Sequence, residues 1–242
     1  QELGDEYEVI EQLEIGGVDF TRVSSNSLTD ISSDFAALQL PFIFDSEEHM
    51  WRVLDGKIGE KLFRGLDDAG IIGLSWFSSG KRCFYSSKRI DNIDDLAGMK
   101  IRTQNSEVMT AIVKALGAEP ISVYYSDVYG AFSVGTIDAA ENNMPSYYKM
   151  RHYEKANYFL TDGHSMMPDV FIASSTLKEE LSSDDFAIIT NCAKDAAIYE
   201  RSLWETAEQT SALKLKESGV VFRHLTVAEH IALKQKLQPV VD

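Results

Sequence analysis

The feature that most constrains this chain is a short strand signal running straight into a helix: Leu96-Ala-Gly-Met-Lys-Ile-Arg-Thr-Gln-Asn-Ser106, then Glu107–Leu116. Met99–Thr103 reads as a strand, with Ile101 and Arg102 on opposite faces. Asn105 or Ser106 is placed to cap the helix. Apolar residues at 108, 109, 112, 113 and 116 form its stripe, and Gly117 stops it. Arg102 therefore lies at the carboxyl end of a strand, just ahead of a helix N-terminus. In open α/β sheets ligands bind there, and the orphan helix N–H groups favour anions. An arginine at that point suits a carboxylate, because its planar fork donates two parallel hydrogen bonds. The pattern predicts a grip on a small organic acid.

The same alternation runs along the chain. Helical signals cover Asp5–Ile15, Glu47–Leu54, Lys57–Asp68, Asp127–Val134 and Pro145–Tyr153. Strand signals cover Val18–Val23, Ile71–Phe77, Cys83–Ser86, Glu119–Val123, Ile137–Ala140 and Asp169–Ala173. Ser24–Asp34 is a polar loop. The longest element runs from Ser183 to about Ser218 without Gly or Pro, far beyond the usual helix of a globular domain. A helix of that length suits a chain with two lobes. After a last strand, Val220–Leu225, the capping box Thr226-Val-Ala-Glu229 opens a final helix, expected to stop before Pro239. Strands alternating with helices specify an α/β fold with mostly parallel sheets. No Pro/Gly/Ser-rich joint marks a linker, so two lobes would be connected through ordered strands.

A chain of 242 residues, 44% hydrophobic and 25% charged, can bury one large core or two ordinary ones. No 18-residue apolar stretch is present, so nothing in it is expected to span a membrane, and the acidic start, Gln1-Glu-Leu-Gly-Asp-Glu, does not read as a signal peptide. The formal charge of −15 argues against nucleic acid. It does not argue against an anionic ligand, because charges beyond a Debye length of about 8 Å are screened while arginines in a closed cleft act at contact. Cys83 and Cys192 fit no metal or redox spacing and read as two small buried hydrophobes.

Three polar groups fall at corresponding points of successive units. Arg82 follows the strand Ile71–Phe77, Arg102 ends the next strand, and Asn142 ends Ile137-Asp-Ala-Ala-Glu141. Singly, each reads as a surface or ion-paired residue; together at strand ends they favour a carboxylate site with an amide beside it. Tyr125 also sits at a strand end, as a stacking platform or equally as an ordinary half-buried aromatic. His49, His152, His164, His224 and His230 show no metal spacing, and only His164 falls near the expected crevice. No nucleophile motif or phosphate-binding Gly-rich loop occurs. Grips without a reactive group read as a binder rather than an enzyme.

Leu96-Ala-Gly-Met-Lys-Ile-Arg102, Ala115-Leu-Gly-Ala118, Asp127-Val-Tyr129, Gly135-Thr-Ile-Asp138 and Ala140-Glu-Asn142 resemble the periplasmic substrate-binding proteins of TRAP transporters, the dicarboxylate-binding type. The resemblance extends from Glu2-Leu-Gly-Asp5 to the last helix. It implies a two-lobed periplasmic-binding-protein-like fold whose lobes close on a ligand, joined by hinge strands and a long lobe-spanning helix. It divides the chain into 1–79 with about 168–207, and 80–167 with about 208–242. By position Arg102 matches the family's carboxylate-binding arginine, Arg82 the second arginine of many members, Asn142 the neighbouring asparagine, and Tyr125 an aromatic over the ligand. In the other lobe Glu6, Ser24 and Asn26 match positions that touch the distal part of the ligand.

Leu40-Pro-Phe-Ile-Phe44, Glu48-His-Met50, Val53-Leu-Asp-Gly56 and Asn142-Asn-Met-Pro-Ser-Tyr147 look most like members that bind uronates and related sugar acids. Neutral Ser24 and Asn26 suit hydroxyls better than a second carboxylate. The resemblance further implies a periplasmic protein, no cofactor or metal, and delivery to a TRAP membrane permease. Members normally begin with a signal peptide and a βα unit ahead of the equivalent of Gln1, which points to a longer parent chain in preference to a fragment with a damaged lobe. The rivals are an enzyme acting on sugar acids, a lyase or isomerase, and a sensory ligand-binding domain.

Overall fold

The computed structural model describes residues 3–242; Gln1 and Glu2, where the acidic start and the family likeness begin, lie outside the described residues. In chain order the first elements are α1 (Glu6–Glu14), β1 (Phe20–Ser24), α2 (Glu47–Leu54), α3 (Lys57–Arg64), β2 (Ile71–Phe77) and β3 (Lys81–Ser86). Then come β4 (Lys100–Thr103), α4 (Glu107–Ala115), β5 (Glu119–Ser122), α5 (Val128–Ser133), β6 (Ala139–Asn142) and α6 (Met144–Lys149). The rest is β7 (Tyr158–Thr161), β8 (Ser165–Met166), β9 (Asp169–Ser174), α7 (Leu177–Glu180), α8 (Ser183–Glu217), β10 (Val221–His224) and α9 (Val227–Val241).

The chain forms two compact units. One takes the residues up to Leu38, Phe44–Ser79 and Met167–Trp204; the other takes Gln39–Ile43, Gly80–Met166 and Glu205–Asp242. The boundaries fall in the turn between β2 and β3, between β8 and β9, around the segment 39–43, and inside α8.

In the first unit β9 is the central strand of a three-stranded sheet, antiparallel to β1 and β2. Leu74, Ala173, Leu177 and Ala193 form a core there, joined by Phe20, Ile72, Phe171 and Phe186. A register shift between Gly73 and Ser75 interrupts β2. A Cβ at Gly73 would lie 2.2 Å from the Phe63 ring, which itself stacks on Trp76 at 4.5 Å. Asp5 caps α1 in a capping box.

The second unit is built on a seven-stranded sheet in the order β10-β7-β3-β6-β4-β5, with β8 on β3. It runs mostly parallel: β10 with β7 and β5 with β4 and β6 share one direction, and β3 alone is reversed. The pleat separates two cores. Phe84, Ile101, Ala139 and Leu160 pack on one face with α4 and α9; Cys83, Tyr85, Ala140 and Phe159 pack on the other with α5 and α6.

Helix α8 runs 35 residues, as its uninterrupted sequence predicts. Two expectations are corrected. Helix α9 does not stop before Pro239 but continues to Val241. Proline removes one N–H and crowds one carbonyl, and in the last turn few bonds are at stake while Leu233, Leu237 and Val240 keep the helix on the core. Of the cysteines, Cys83 is buried, its thiol pushed up by burial, but Cys192 is exposed on α8, and both are free thiols.

Candidate functional site

Strand order brings the three polar candidates to one edge of the larger sheet, because β3, β6 and β4 are neighbours. Strands β4 and β6 are parallel, so Arg102 and Asn142 both lie at carboxyl ends; β3 is antiparallel, so its beginning, with Arg82, lies beside the end of β6. All three are buried, at 4% (Arg82), 3% (Arg102) and 5% (Asn142) exposure. Register then separates them. Ile101 pairs with Ala139 and Cys83 with Asn142, so alternation puts Arg102 and Asn142 on one face and Arg82 with Glu141 on the other.

Arg102 donates its Nε–H to the Val123 carbonyl at 2.9 Å, which fixes the guanidinium against the end of β5. No protein acceptor meets its two terminal nitrogens among the described residues. Burial draws it below its ordinary value, Glu141 and Tyr85 support the charge, and Arg82 opposes it. Asn142 accepts the Asn143 N–H through Oδ1 at 2.8 Å, which orients its amide group at the strand end.

Arg82 grips Glu141. Its Nε–H donates to Oε2 at 2.5 Å and its Nη2 to Oε1 at 2.8 Å, a two-bond fork between fully buried partners. Burial works to raise the Glu141 carboxyl, but Arg82 outweighs it and holds the group below the usual range, with help from His164 and Arg102. The His164 ring stacks on Phe84 at 4.4 Å, hydrogen-bonds Asp162 through Nδ1 at 2.6 Å, and sets Nε2 3.8 Å from Glu141. Asp162 also accepts the Phe84 N–H at 2.8 Å, tying this group to β3.

Behind Arg102, the Tyr85 hydroxyl meets Nδ1 of His152 at 2.8 Å. Burial, and then the charge of Arg102, push that imidazole down to about 4, so it is neutral at physiological pH. Tyr125 is half-buried in a turn just after β5, its ring edge-on to His152 at 6.3 Å.

In the first unit Glu6 is turned to its own fold. Its carboxylate accepts the Ser24 N–H at 3.2 Å and the Ser27 hydroxyl at 2.5 Å, pinning the turn Ser25–Leu28. Ser24 accepts the Asn26 N–H at 3.3 Å and lies 3.8 Å from the Met167 sulfur. Ser24 and Asn26 are both buried.

Sequence reasoning passed over Glu141, Asp162, Tyr85 and His152. Glu141 carried a signal, a carboxylate directly after two alanines in a short strand, which needs a cation once that strand is buried. His152 carried none, since it follows the left-handed Arg151 (φ 58°) and enters the core through that turn.

The model for the bacterial extracellular solute-binding proteins, family 7, matches residues 1–242. The chain belongs to this family. A TRAP periplasmic solute-binding protein of Chromohalobacter salexigens, solved with D-glucuronate, is 36% identical at a TM-score of 0.94, over 99% of this chain and 79% of that one. One from Bradyrhizobium sp., solved with D-galacturonate, is 37% identical at 0.93, over 98% and 79%. The sugar acid binding protein of Advenella mimigardefordensis, in complex with galactonate, is 30% identical at 0.95, over 99% and 77%. This chain is therefore a solute-binding protein of the TRAP type, and its relatives are binding proteins, not enzymes. No helix among the described residues is long and apolar enough to cross a membrane.

Proposed function

We propose that this protein captures a sugar acid of the uronate class in the periplasm and delivers it to a TRAP membrane permease. The observation that carries the reading is Arg102, a buried guanidinium at a strand end whose terminal nitrogens meet no protein acceptor among the described residues. A carboxylate there receives two parallel, charge-assisted hydrogen bonds in a medium of low dielectric. The amide of Asn142 supplies a neighbouring donor, and Tyr125 a surface for the sugar ring.

Arg82 has a supporting part, since its charge is matched by Glu141. One uncompensated cation suits one carboxylate. Ser24 and Asn26 are assigned to hydroxyls of the ligand, and Glu6 to holding their turn. The uronates and galactonate bound by the solved relatives support the same class.

Isothermal titration calorimetry with D-galacturonate, D-glucuronate, D-galactonate and a C4-dicarboxylate tests the assignment. Saturable heat is expected from one or more of the sugar acids and little from the dicarboxylate. Heat from the dicarboxylate alone would reject it.

A further inference from the structure

The segment Gln39–Ile43 groups with the second unit, although the chain through Leu38 and again from Phe44 belongs to the first. This short strap is tied at both ends to the turns that present the carboxylate site. Gln39, almost wholly buried, accepts the Ser106 hydroxyl through Oε1. Ser106 in turn accepts the Met109 N–H at 3.0 Å and so caps α4, four residues beyond Arg102. At the other end Phe42 donates its N–H to the His164 carbonyl at 2.9 Å. His164 is the imidazole between Asp162 and Glu141, the partner of Arg82.

Phe42 pays for this with its backbone. Its φ of 56° is left-handed, a region a bulky L side chain occupies only when its surroundings hold it there. The surroundings are on hand: the ring meets His230 edge-on at 5.0 Å and packs against the core beneath α4 and α9. A strained residue kept in place by packing, hydrogen-bonded to the backbone of the residue whose imidazole lies beside Glu141, is the arrangement expected of a positioning element.

We propose that the strap Gln39–Ile43 positions the carboxylate site, Gln39 by fixing the turn between the Arg102 strand and α4 and Phe42 by fixing the turn that carries His164. Through them the ligand is held by side chains whose aim is set elsewhere in the chain. The inference rests on the reading of Arg102 as the carboxylate anchor.

The test uses Gln39→Leu, Ser106→Ala and the double variant, with two readouts. Calorimetry with D-glucuronate should show each single variant weakened about tenfold or more, and the double variant within about threefold of the weaker single. The ligand-free melting temperature of Gln39→Leu should stay within about 3 °C of the parent. In the ligand-free protein, the Arg102 Nε–H resonance in a 15N correlation spectrum should move in Gln39→Leu. An affinity within about threefold of the parent, multiplying effects in the double variant, a larger melting shift that accounts for the loss, or an unmoved resonance would overturn the proposal. A parent protein that binds no uronate would refute the ligand class instead, and the ligand-free resonance would still decide the role of the strap.

Discussion

Replacing Arg102 with methionine separates what the residue does for the fold from what it does for the ligand. In the free protein Arg102 is 3% exposed, and among the described residues its guanidinium has one protein hydrogen bond, to Val123. Exchanging buried ionic groups, even a paired set, for apolar side chains of similar volume is often neutral or stabilising by about 1–4 kcal/mol. Against this, the Val123 carbonyl loses its donor, at about 1–2 kcal/mol. The two offset to a net of about −2 to +3 kcal/mol, so at about 2–4 °C per kcal/mol the ligand-free melting temperature should move by no more than about 12 °C. The bound state loses both hydrogen bonds to the carboxylate and leaves it buried without a counter-charge, about 3–5 kcal/mol. At 1.4 kcal/mol per tenfold, affinity for the sugar acid should fall on the order of a hundredfold to several thousandfold. Calorimetry or competition fluorescence reads the affinity, and differential scanning calorimetry the stability. A tenfold or smaller loss in a folded Arg102→Met protein would show that this guanidinium does not meet the ligand in a desolvated site.

Two further outcomes concern the groups around it. Glu141→Gln strands the Arg82 charge in the interior, which at about 3–5 kcal/mol should lower the melting temperature by about 10 °C; an unchanged melting point would mean that water reaches Arg82. Because the folded Glu141 titrates below its usual value, its contribution is complete above the ordinary carboxylate range and is lost as pH falls through and below it; acid unfolding of Glu141→Gln should therefore be less steep there. His152 has the opposite charge type. With a folded value of about 4 against 6.5 unfolded, the unfolded chain binds more protons between those limits. Stability should rise by about 3 kcal/mol from pH 4 to 6.5 and change little through this group above that. Melting curves of His152→Phe should lose that slope, and a parallel pH profile would refute a buried neutral imidazole.

What could be read in the sequence was what depends on neighbours along the chain. The 35-residue helix α8 followed from an uninterrupted run, and a cap for α4 at Asn105 or Ser106 from polar residues ahead of an apolar stripe, with Ser106 making the bond. Pro239 shows the limit of such rules: contacts of α9 with a distant core carried the helix past it. Cys192 shows it too, since thiol type alone does not say which face of a long helix is covered.

For the site, the position of Arg102 ahead of a helix N-terminus is a local fact, and the sequence by itself determined it, together with the α/β class and the likeness to solute-binding proteins. Strand order and register are not local. They bring β3, β6 and β4 side by side, set Arg102 and Asn142 on one face, and give Arg82 to Glu141, a partner 59 residues away. Which arginine keeps an unmatched charge was therefore decided only by the tertiary structure. The physical reason is that charge compensation depends on distance in space, whereas a sequence records only distance along the chain.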